Sequence, residues 1–131
     1  MVVSSLRAIL DCDVQRVWDT VTDLEHYQWR SDITGIEAVS NGQFREYTKD
    51  GFATDFTVTA WEPCRRWAFD LENPNLKGRW VGTFTAQGDR TELEFTEEVV
   101  PKPSLPRPLV KIFLKRQQRR YLADLKKALG C

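Results

Sequence analysis

The residues able to do chemistry are few and lie far apart in the chain. Glu97 is the foremost: it alternates with Leu93, Phe95 and Val99, so strand parity sets it on an apolar face. A carboxyl there has a raised pKa and can act as acid or base. A bulge or a frayed end would turn it to water, and the neighbouring Glu98 shows how small a slip suffices; this solvent-facing alternative carries more weight. Glu46 faces inward only if Phe44 does, and outward if Tyr47 does, with exposure the expectation. Gln117 and Tyr121 fall in an apolar stripe near the C-terminus. Each can bond the polar end of a ligand or make a structural bond to a sheet. His26 is the only histidine, flanked by Glu25 and Tyr27, and is expected at the surface or at the rim of a pocket. With no second His and no Cys beside it, no metal site is expected, and no cofactor. Glu97 and Tyr121 are therefore the catalytic candidates. The chain contains no Gly-rich phosphate loop, no G-x-S-x-G elbow and no H-E-x-x-H, which argues against the commonest hydrolase and nucleotide classes.

The elements that must position these groups follow from periodicity. Residues 2–10 (VVSSLRAIL) read as a strand. Asp11 and Asp13 offer helix caps, and Val14, Val17, Trp18 and Val21 form one stripe of an amphipathic helix. Asp23 can start a second short helix over Leu24 to Trp29. Six β-like segments follow, separated at Asn41-Gly42, Asp50-Gly51, Glu62-Pro63-Cys64-Arg65, Asn73-Pro74-Asn75 and Gln87-Gly88-Asp89. One face carries Phe52, Thr54, Phe56, Val58 and Ala60, then Trp67, Phe69 and Leu71, then Trp80, Gly82 and Phe84. The other carries Asp55, Arg66, Asp70, Arg79 and Glu94, so one side is buried and one is wet. Pro101, Pro103, Pro106 and Pro108 make a stiff connector that cannot pair in a sheet. From Leu109 to Leu129 nothing interrupts a helix of about 30 Å, and Gly130 stops it. Its stripe is Val110, Phe113, Leu114, Gln117, Tyr121, Leu125 and Leu129.

Length and composition suit one domain spanning residues 1–131. The three cysteines, Cys12, Cys64 and Cys131, are odd in number and widely spaced, and read as reduced thiols of a cytoplasmic protein. No signal peptide and no run of transmembrane length is visible. The formal charge is zero but unevenly spread. From Arg107 onward Asp124 is the lone acid among eight basic residues, leaving 11 basic and 18 acidic residues before it. Such a helix is most simply a solvated face.

The stretch Asp13 to Asp23 (DVQRVWDTVTD), followed by Tyr27, Trp29 and Ile33, resembles the START-like, or Bet v 1-like, helix-grip superfamily (SRPBCC), in its bacterial polyketide cyclase/dehydrase-like branch. Glu62-Pro63 before a strand, Gly88 and Thr91 before the last strand, and the terminal helix agree with it over nearly the whole chain. Members often carry Pro where Cys12 or Asp13 stands, a position an Asp cap serves equally. The resemblance implies an α+β helix-grip fold: a seven-stranded curved antiparallel sheet (β-α-α-β6-α) wrapped around the long C-terminal helix. A single helix cannot fill the hollow of a twisted sheet, so a cavity remains. Its expected lining is Trp29, Phe56, Val58, Trp67, Phe69, Trp80, Phe84, Phe95, Glu97, Phe113, Gln117 and Tyr121. Tyr27 and Trp29 form a lid, or pack as plain core.

Three functions compete. The first is carriage or sensing of a small hydrophobic or amphipathic molecule, lipid or polyketide-like. The second is a polyketide cyclase, aromatase or dehydratase-like enzyme using Glu97 or Tyr121, which needs several polar groups converging deep in the cavity. The third is an interaction module working through Lys111, Lys115, Arg116, Arg119, Arg120, Lys126 and Lys127 on anionic lipid or an acidic protein. No nucleic-acid partner is expected, and the chain is a monomer or homodimer.

Overall fold

The computed structural model describes residues 1–131. Strand β1 (Val2–Leu10) leads through helix α1 (Val14–Thr22) into six strands: β2 (Gly35–Ser40), β3 (Gln43–Tyr47), β4 (Ala53–Glu62), β5 (Arg66–Glu72), β6 (Leu76–Gln87) and β7 (Arg90–Pro101). Helix α2 (Arg107–Leu129) closes the chain. The strands form one curved antiparallel sheet in the order β1-β7-β6-β5-β4-β3-β2. This is the helix-grip fold.

Asp13 caps α1, its Oδ1 accepting the Arg16 N–H at 3.1 Å, and Val17, Trp18 and Val21 are buried beneath it. Trp18 packs edge-on against Phe84 at 5.0 Å and Trp61 at 5.3 Å. The expected second helix does not form. Asp23 does accept the N–H groups of Glu25 and His26, but the chain then runs on as turns. A helix of so few residues closes too few hydrogen bonds to offset its nucleation. Leu24, Tyr27 and Trp29 of this segment instead point into the hollow of the sheet, while Glu25, His26 and Gln28 are exposed.

Alternation places Phe56, Phe69, Trp80, Phe95 and Glu97 on the inner face. One expectation fails here. A bulge between Val58 and Ala60 pairs Ala60 with Ala68, on the outer side, and gives the inner position to Trp61 opposite Trp67. Trp80 lies flat across Gly82, where a Cβ would stand 2.5 Å from the indole ring. Pro101 also departs from its expected role, since it ends β7 opposite Leu76 rather than opening the connector.

Helix α2 begins two residues earlier than the spacing predicts, because Pro108 is tolerated in a first turn. It ends at Gly130, whose φ of 75° lets its N–H reach back to Lys126 and Lys127. Val110, Leu114, Gln118, Leu125 and Leu129 are its buried row. Gln118, not Gln117, is the buried amide: it accepts from Ser4 Oγ at 2.8 Å and donates to the Ser4 carbonyl at 2.9 Å. Phe113, placed in the stripe by spacing, is 58% exposed.

The cysteines are not all reduced. Cys12 and Cys131 are joined by a disulfide, their Cα atoms 6.5 Å apart, and Cys64 alone is free. A separation of 119 residues hid the pair from any reading of local spacing. The bond removes the argument that placed the chain in a reducing compartment. No helix is long and apolar enough to cross a membrane.

Candidate functional site

Helix α2 packs on β1, β7 and α1. It leaves the inner face of β3 to β6 uncovered, and a cavity of about 440 Å³ opens there. That volume suits a small organic ligand. Aromatic rings run around it in sequence, Phe56, Phe69, Trp80, Phe95, Tyr121 and Trp29, each centred 4.8–5.2 Å from the next, and Phe44 of the core stacks on Phe56 at 4.8 Å. Direct cross-strand pairing explains two of these steps, Phe44 opposite Phe56 and Phe69 opposite Trp80. Every residue expected in the lining is there except two. Phe84 lies instead under Trp18, and Val58 packs against the core beside the bulge. Gln117, Phe113 and Tyr121 form a second row of α2 that borders the cavity, and Val110, Leu114 and Gln118 of the buried row reach it too.

The polar groups gather through the segment between α1 and β2. Arg30 donates to Asp32 (Nη2 to Oδ2, 2.8 Å) and to Glu46 (Nη1 to Oε2, 2.7 Å), with longer second bonds to each. All three side chains are at most 13% exposed. The Arg30 Cζ lies 5.2 Å from the centre of the Tyr121 ring. Burial alone would lower the Arg30 pKa, but Glu46 and Asp32 outweigh it and hold it above its ordinary value. Glu46 therefore faces the cavity with Thr48, on the parity of the buried Phe44, against the expectation of exposure; the ion pair with Arg30 supplies the reason.

Glu97 also lines the cavity rather than turning to solvent, because β7 keeps an unbroken register with β1 and β6 through this position. Its carboxyl has no hydrogen-bond partner; burial, and secondarily the charge of Glu46, push its pKa up to about 7. The Tyr121 hydroxyl is likewise unpartnered. Burial raises its pKa and Arg30 opposes that, while Glu46 and Asp32 reinforce it, so the phenol stays protonated. His26 lies outside, 79% exposed, with Nδ1 2.8 Å from Asp23. The cavity thus joins an aromatic wall to a neutral phenol, a carboxyl poised near neutrality and a buried, compensated arginine.

Sequence reasoning missed Arg30 and Asp32. The available signal was an opposite-charge pair embedded between Trp29 and Ile33, two residues that both line the cavity. It also missed what holds them. Asp124 accepts from both the N–H and the Oγ of Ser31, at 2.8 and 2.7 Å, and Arg120 donates to the Ser31 Oγ and carbonyl, both at 2.8 Å. This clamp ties the segment to α2 on the residue between Arg30 and Asp32.

Residues 1–130 match the family described as polyketide cyclase / dehydrase and lipid transport. The chain belongs to this family. Among solved structures, a conserved protein from Geobacillus kaustophilus superposes with a TM-score of 0.86 at 12% identity, covering 98% of this chain and 95% of that one. A START superfamily protein from Mycobacterium smegmatis gives 0.72 at 24% identity, over 97% and 93%. DynU16, from the dynemicin biosynthetic locus, gives 0.79 at 20% identity, over 98% of this chain but 47% of its own. These likenesses establish the shared fold of the family. No curated protein matches the chain in sequence.

Proposed function

We propose that residues 1–131 act as one unit that binds a flat amphipathic molecule, lipid or polyketide-like, as its carrier or sensor. The observation that carries this reading is the cavity itself. It is walled by rings and, besides the buried, unpartnered indole N–H groups of Trp29 and Trp67, it is lined by two polar side chains, Glu97 and Tyr121, that make no hydrogen bond in the protein. Buried polar groups are normally paired, so a ligand that bonds both would satisfy them. Its ring body would lie among Phe56, Phe69, Trp80 and Phe95, and its hydroxyl or carbonyl would meet Glu97 and Tyr121. The family's description, the START superfamily relative and the relative from a biosynthetic locus are consistent with this class of ligand.

Native mass spectrometry of the purified protein, followed by titration of polycyclic hydroxyaromatics and of straight-chain fatty acids against tryptophan fluorescence, tests it. Saturable one-to-one quenching by the ring compounds, weakened in Glu97→Gln, is the expected result. Failure of both ligand classes to bind would sink the reading.

A second reading is favoured by one specific feature. Arg30, Glu97 and Tyr121 converge on one cavity, as a cyclase or aromatase-type enzyme needs. A carboxyl near neutrality matches the requirement for proton abstraction next to a ketone, and the protonated phenol could support the developing oxyanion. Arg30 would have a positioning role, since four of its five N–H donors are already engaged by Asp32 and Glu46. Here Glu97→Gln would abolish turnover of a poly-β-ketone while sparing its binding. In a carrier the same change alters binding alone.

A further inference from the structure

The buried rows of α2 face the core and the cavity, but its outward face is not a plain solvated one. Leu109, Ile112 and Phe113 are 61%, 55% and 58% exposed, at the i, i+3, i+4 spacing that makes them neighbours. Arg116 and Arg119 continue the same face over the following turns, with Arg107 and Lys111 beside it, and all four are exposed. Lys115 and Arg120 turn back on the protein, donating to the Ser5 carbonyl and to Ser31. No cation of α2 takes part in an ion pair. Acidic side chains are plentiful elsewhere, 18 against 11 basic, so this face is left positive while the rest of the molecule is negative.

We propose that the outward face of the first half of α2 docks on an anionic lipid bilayer, with the mouth of the cavity turned toward it. Three observations favour a bilayer over an acidic protein. An apolar cluster adjoining arginines on one helical face is the pattern of helices that lie in the headgroup region. The charge asymmetry would orient the whole molecule, helix first, against a negative surface. Leu109 and Phe113 belong both to this face and to the cavity lining, so the docking face and the cavity mouth share residues. A ligand leaving the bilayer would then enter the cavity without crossing water.

The test is flotation of the full chain with vesicles of phosphatidylcholine, with and without phosphatidylglycerol, at rising salt. The expected result is binding that requires the anionic lipid and weakens with salt. Each lost cation should weaken it about fivefold, so Arg116→Glu/Arg119→Glu should lose well over tenfold. Ile112→Glu should remove binding while leaving ligand titration unchanged, because Ile112 does not line the cavity. All three positions are exposed, and circular dichroism checks that the variants keep the wild-type helix content. Equal binding to neutral vesicles, or binding unaltered by these substitutions, overturns the proposal. No binding to either vesicle also overturns it and leaves the face to an acidic protein. Vesicle binding is read without a cavity ligand, so it stands or falls separately from the ligand-binding reading.

Discussion

The two halves of α2 share one continuous helix and one basic composition, yet they are built for different tasks. The C-terminal half is fixed. Leu125 and Leu129 are fully buried against α1 and the core, Asp124 and Arg120 clamp Ser31, and the disulfide from Cys131 to Cys12 staples the end. The N-terminal half is held by a smaller cluster, Val110 and Leu114 with Val2 and Val99. Its remaining apolar residues, Leu109, Ile112 and Phe113, stand exposed. Stability and function thus separate along one element. The fixed half positions the polar end of the cavity through the clamp, and the loosely held half borders its mouth.

Variants should respect that division. The largest effect is expected at the fixed end, where Trp18→Ala removes a fully packed indole from between Phe84 and Trp61 and should cost about 3–5 kcal/mol. A thermal melt close to wild type would contradict that packing. Next is Cys131→Ser, or reduction of the native protein, which reopens a very long loop in the unfolded chain and should cost about 2–4 kcal/mol. Denaturation with and without reductant reads this directly. Identical midpoints would mean that the staple contributes nothing.

Glu97 should give a smaller and pH-dependent effect. Its folded pKa near 7 lies above the ordinary 4.5, so the native state holds a proton more tightly than the unfolded chain does. Its contribution to stability is therefore complete below about pH 4.5 and is lost as the pH rises through 7. The loss is on the order of 1–3 kcal/mol. Glu97→Gln cannot ionise and should be the more stable protein at pH 8, with the gap closing toward pH 5. Parallel stability curves across that range would show that the carboxyl is solvated or paired.

The sheet was the most legible part of the molecule, since its alternation is strict and its turns carry Gly or Pro. Asn41-Gly42 and Gln87-Gly88 each deliver a positive φ where the hairpin needs one. The bulge at Val58/Ala60 was not legible, because the apolar pattern permits two registers there and Trp61 can serve either. Helix α2 was legible in extent but not in phase. Rows through Gln117 and through Gln118 are both partly apolar, and only the position of Ser4 on β1 determines which amide is buried. The polar end of the cavity was the least legible. Arg30, Asp32 and Glu46 come together from an irregular segment and a strand, and Ser31 is bonded to residues that lie 89 and 93 positions away. Periodicity contains no information on such contacts.

The smallest expected effect is the sharpest test of the division between halves. Phe113→Ala removes a large side chain, and at a buried site that would cost several kcal/mol. At 58% exposure, outside the buried row of Val110 and Leu114, it should change stability by no more than about 0.5 kcal/mol. The same residue lines the cavity mouth, so affinity for an aromatic ligand should fall severalfold while the thermal midpoint stays put. A matched change at the other end, Leu125→Ala, should do the reverse, lowering the midpoint sharply. If Phe113→Ala instead destabilises as strongly as Leu125→Ala, then Phe113 is packed in solution, the mouth is closed in the free protein, and the two halves of α2 are one structural unit after all.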